Sequence, residues 1–198
     1  MAEYSKHWHG LVNALFRGSG DPDMLAAVGN NGGKYGLFDY AHGYFAATEL
    51  LLAAARQQGE NVAIDTLVYP VCYNFRHSVE LFIKYLIDEL GKASPAGQSA
   101  FKFDHDLEHN WKTARTAIEG CSWLSIHAQE MAFVEKTIQE IMEIDANGQI
   151  FRYPDSKKNP QHLKEWSIIS LEVVERRVKM LYAVLREWHF KIEGYLYP

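Results

Sequence analysis

At 198 residues and 22.7 kDa the chain has room for one domain with a sizeable core and little room for a second. A 47% hydrophobic and 23% charged composition excludes general disorder and a membrane bundle. A net charge of -5 argues against broad, unspecific nucleic-acid binding, because an acidic surface repels phosphate at long range.

The charge is unevenly spread. Between Arg152 and Lys191 nine basic residues face five acidic ones, so that stretch nets +4 and the remainder -9. Such a stretch reads either as a local phosphate-facing patch or as solvated helix faces of mixed sign. No run of eighteen apolar residues occurs, and the start, MAEYSKHWHG, lacks the pattern of a signal peptide. A cytoplasmic, non-membrane protein is the expectation. Cys72 and Cys121 sit singly inside apolar-periodic segments, which predicts buried free thiols.

Helical periodicity dominates from end to end, predicting an all-α chain. Residues 1–36 form an N-terminal unit, in which Trp8, Leu11, Val12, Leu15 and Phe16 mark a short amphipathic helix. The glycine-rich GNNGGKYG that follows lacks the Gly-Lys-Ser/Thr of a phosphate-binding loop. Residues 37–198 form the bundle. A first helix runs from Leu37 to Gln58 and a second from Asp65, as N-cap, to Leu90, with Gly91 as the stop. The two are expected to pair as an antiparallel hairpin.

A third helix, capped by Asp104 with His105 in its first turn, closes at Gly120, and a fourth spans Ser125 to Glu143. DANGQIFRYPDSKKNPQ then reads as a surface excursion. The last helix is expected from Pro160 or Gln161 to near Ile192, over thirty residues and about 45 Å. That length, with the apolar tail Trp188, Phe190, Ile192, Tyr195, Leu196 and Tyr197, predicts a homodimer contact.

Three stretches hold candidate chemistry. In YPVCYNFRHSVELFIKYLI, Arg76, Glu80 and Lys84 lie four apart, as ordinary surface pairs worth about 0.3 kcal/mol each do. Read functionally, Arg76 and His77 offer a fixed cation and a titratable imidazole to a phosphate. In FDHDLEHNW, His105 and His109 share a helix face, but no third ligand is evident and no metal is expected; a hydrogen-bonded first-turn His105 is the plainer reading. In IFRYPDSKKNPQHL, Arg152, Lys157 and Lys158 could bind phosphate, or Arg152 could pair a carboxylate of the bundle. Nothing supports a nucleophile elbow, a Cys-His pair or a cofactor.

Taken in order, RHSVELFIKYLI, HDLEHNW and FRYPDSKKN ahead of a closing helix resemble the HEPN superfamily of nucleotide- and RNA-associated helical domains, over roughly residues 37 to 190. The resemblance implies an up-and-down bundle with a long C-terminal helix, a homodimer, and an RNA or nucleotide phosphate site. It further implies either a metal-independent ribonuclease of a toxin-antitoxin or phage-defence system, with a partner protein of that system, or a non-catalytic binding or assembly module. The superfamily's usual Arg, four to six residues, then His does not occur after Arg76, Arg152 or Arg186. In its place the resemblance points to His77 and His105 for proton transfer, with Arg76, Arg152, Lys157 and Lys158 on phosphate or RNA.

Overall fold

A computed structural model describes residues 21–29, 34–58, 61–93, 105–156 and 161–198. The chain divides into two units, Met1–Tyr35 and Gly36–Pro198. Within the first, the described residues carry one 3-10 turn, Pro22–Met24, whose Asp21 side chain accepts from Asp23 N–H. The expected helix around Trp8 and most of the glycine-rich loop lie outside the described residues, as do Lys157 and Lys158.

Among its described residues the second unit holds five helices and no strand: α1 Leu37–Gln58, α2 Asn61–Lys92, α3 Leu107–Gly120, α4 Ala128–Asp145 and α5 Leu171–Leu196. Side-chain pairs give the directions. Phe38 meets Tyr85 while Phe45 meets Phe75, so α1 and α2 run antiparallel. His42 meets Tyr182 while Arg56 meets Glu175, so α1 and α5 do as well. Trp188 donates to Glu130 and Arg177 to Glu140, which makes α4 and α5 antiparallel too. The result is a helical bundle in which α1, α2, α4 and α5 alternate in direction along the chain, ending in a 26-residue helix.

Helix α2 packs against all four others, and its apolar stripe of Val71, Phe75, Val79, Phe82, Ile83, Leu86, Ile87 and Leu90 forms the middle of the core. Phe45 and Leu52 come to it from α1, Leu107, Trp111 and Ile118 from α3, Val134 and Ile138 from α4, and Leu181, Leu185 and Trp188 from α5. No described helix is long and apolar enough to cross a membrane. Cys72 and Cys121 are buried and free.

Several boundaries differ from the sequence reading. Helix α2 begins at Asn61, leaving Asp65 exposed inside it instead of capping it, and it continues through Pro70 and the buried Gly91. Packing along α1 outweighs the local stop signals. Helix α3 is capped by Asp106, which accepts from His109 N–H at 2.9 Å, so His105 precedes the helix. Helix α4 starts at Ala128 and not Ser125.

The largest shift is in α5, which starts at Leu171 behind the Ser170 cap and spans about 39 Å. Residues 161–170 are irregular because buried His162 binds Tyr153 O at 2.8 Å through Nδ1 and Pro154 O at 2.8 Å through its backbone N–H, and Leu163 adopts a φ of 57°. The excess length expected to reach a partner is therefore absent. Within the tail, Trp188 and Ile192 lie in the chain's own core and Leu196 packs against it. Tyr195 stacks on Trp123 at 3.9 Å, and Tyr197 O–H donates to Glu89.

Candidate active site

Helical spacing puts Arg76, His77, Glu80 and Lys84 on one side of α2, and two remote segments close over them. The Glu80 side chain is 1% exposed. It receives Lys84 Nζ at 2.7 Å, an Arg76 guanidinium nitrogen, and His105 Nδ1 at 3.1 Å from both carboxylate oxygens. His77 Nδ1 lies 3.8 Å away, beyond hydrogen-bond distance. Burial pushes the Glu80 carboxyl up, but the His77, Lys84, Arg76 and His105 contacts outweigh it and hold the carboxyl well below the usual range.

Arg76 is 2% exposed, and the chain itself engages its fork. Besides Glu80, its Nε donates to Asp145 O at 3.1 Å, and its second terminal nitrogen donates to His105 O at 2.8 Å and Ala146 O at 3.0 Å. These carbonyls include ones left open at the C-terminus of α4. Gly148 (φ 74°) lies against the guanidinium: a Cβ there would come within 3.3 Å of its central carbon. The Asp145 carboxylate fastens this turn by accepting from Gln149 N–H at 2.8 Å and Ile150 N–H at 3.0 Å. The expectation that Arg76 offers a phosphate a free fork is corrected: it is an internal ion, and it shapes the site from beneath.

The histidines differ from it. The His105 side chain is 45% exposed. An ionised Glu80 can only accept, so Nδ1 of His105 must be the donor, and in the neutral ring Nε2 keeps its lone pair. A buried carboxylate that orients a solvent-reaching imidazole is the arrangement of a general base. His77, half-buried, stacks at 5.8 Å on Tyr73 and meets the edge of Tyr44 at 4.6 Å. Exposed Arg152 lies over the rings of Tyr73 (5.9 Å) and Tyr153 (5.5 Å) and, among the described residues, pairs no bundle carboxylate.

Four of the residues singled out in the sequence thus meet here: Arg76, His77 and His105 at Glu80, and Arg152 through Tyr73. Glu80 itself was missed as the centre. Its signal was three basic or titratable side chains at -4, -3 and +4 on an otherwise apolar helix. Among the described residues no group of three His, Cys, Asp or Glu side chains could hold a metal ion. Compared with known proteins, the chain matches no family model, no curated protein and no solved structure, so its own geometry carries the reading of this site.

Proposed function

We propose that this is an RNA- or nucleotide-directed protein of HEPN-like type whose Glu80–His105 dyad performs metal-independent phosphodiester cleavage. The observation that carries the reading is the 45%-exposed imidazole of His105 held by a carboxylate that is itself 1% exposed. In this scheme His105 Nε2 removes the proton from a ribose 2'-hydroxyl and the oxygen attacks the adjacent phosphorus. The bond to the 5'-oxygen breaks, and that oxygen takes a proton from His77. Arg152, with Lys157 and Lys158, supplies positive charge to the phosphate. The toxin-antitoxin or phage-defence setting that the resemblance implies would suit such an activity.

Purified protein incubated with total RNA in EDTA should yield fragments, and His105→Ala should abolish them without loss of helicity. A second reading, a non-catalytic binding module, draws on the observation that Arg76, Glu80 and Lys84 are all buried and bonded within the chain. Wild-type protein that leaves RNA intact would establish that reading and refute the first.

A further inference from the structure

The segment that follows α4 is tied at two points. At its start the Asp145 carboxylate accepts from Gln149 and Ile150 N–H, and Gln149 O accepts in turn from Arg152 N–H at 3.3 Å and Tyr153 N–H at 3.1 Å. Further on, buried His162 holds two successive carbonyls: its Nδ1 donates to Tyr153 O at 2.8 Å and its backbone N–H to Pro154 O at 2.8 Å. A carbonyl only accepts, so Nδ1 carries the ring's proton. Leu163, next in sequence, has a φ of 57°, the one positive φ at a non-glycine residue among the described residues. Backbone outliers of this kind persist only where the surroundings over-determine them, and here they stand beside both bonds of His162.

What those bonds hold is the stretch that carries Arg152. Arg76 and Lys84 are buried against Glu80, whereas Arg152 presents its guanidinium to solvent. It lies over Tyr73, and Tyr73 stacks on His77 beside the Glu80 carboxylate. A guanidinium grips phosphate through a planar fork, so its orientation decides what it can bind. On an untethered segment that orientation would be lost to chain and rotamer freedom.

We propose that His162 is a positioning residue for phosphate: by holding Tyr153 and Pro154 it fixes Arg152 over Tyr73, and so sets where a phosphodiester lies relative to His77 and His105. The inference rests on the reading that this face meets RNA. His162 touches no substrate in this scheme and acts through Arg152 alone. Asparagine carries an amide N–H near the place of Nδ1 and can keep the bond to Tyr153 O, whereas alanine cannot.

The test is binding of the full chain to a single-stranded 2'-O-methyl oligonucleotide of about twelve nucleotides, which lacks the attacking hydroxyl and stays intact, read by fluorescence anisotropy. His162→Ala and Arg152→Ala should each weaken binding about tenfold, the loss of one charge-assisted phosphate contact. The double variant should bind no more weakly than Arg152→Ala, because the two residues act as one unit. In each variant the logarithmic salt slope should fall by about 0.7, and His162→Asn should restore most of the affinity. If His162→Ala unfolds, His162→Gln, whose longer amide misplaces the donor, is compared with His162→Asn under the same expectations. Wild-type affinity in the His162 variants, an unchanged salt slope, or additive losses in the double variant overturns the positioning role and leaves the RNA reading standing. A wild type that binds no RNA overturns both, so the two failures are distinct.

Discussion

Replacing Arg76 by alanine tests whether this guanidinium is a structural ion. The variant strips a donor from Glu80 and removes the donors that Arg76 gives to the carbonyls of Asp145, His105 and Ala146. Breaking a buried ion pair costs about 3–5 kcal/mol when the surviving charge is left alone. Glu80 is not left alone, since Lys84 and His105 still reach it, which argues for the lower end of that range. The loss of donors to three carbonyls adds to it, so the sum is about 4 kcal/mol. With a urea slope of about 2 kcal/mol/M for a domain of this size, the unfolding midpoint should fall by about 2 M. Arg76→Lys, which keeps the charge but not the planar fork, should recover only part of that loss. A midpoint within about 0.5 M of wild type for Arg76→Ala would refute the structural assignment.

Other outcomes follow from the same geometry. Glu80, its carboxyl held low in the folded state, contributes stability that is present above the ordinary glutamate value of about 4.3 and is lost as pH falls toward its folded value. Wild type should therefore lose more stability than Glu80→Gln between pH 5 and pH 3, by urea unfolding. Burial lowers the pKa of His189, so its contribution is present above about 6.5 and is lost as pH falls below it; His189→Phe should flatten the stability profile between pH 7 and pH 5. Gly148→Ala should cost about 1–2 kcal/mol in thermal unfolding, from a φ of 74° and the 3.3 Å approach to Arg76. Burial pushes the Cys72 thiol up to about 12, so a thiol reagent at pH 8 should modify it only on unfolding.

The bundle was legible where its determinants are local. Periodicity alone places α1 from Leu37 to Gln58, and Gly120 closes α3 where a helix stop is expected. Boundaries failed where a distant contact overrides a local signal: Asp65 looks like a cap until packing on α1 carries α2 back to Asn61. Likewise Pro160 looks like a helix start until His162, bound to Tyr153 and Pro154, holds its segment out of α5. Glu80 illustrates the same limit at the site. Its spacing to Arg76 and Lys84 is that of a solvated surface row, and it is buried only because residue 105 and the end of α4 fold over it. Periodicity on one helix has no term for segments that arrive from elsewhere in the chain.

The Arg76 latch also has a consequence for the order in which the chain matures. Its acceptors lie 29, 69 and 70 residues further along, so no short stretch of polypeptide can build it. Emerging from a ribosome, α2 carries Arg76, Glu80 and Lys84 in water long before residues 145 and 146 exist. The dyad gains its low-dielectric floor only when the end of α4 docks, late in synthesis. A nascent or half-folded chain therefore holds the residues of the cluster without the cluster itself, which exists only in the finished bundle.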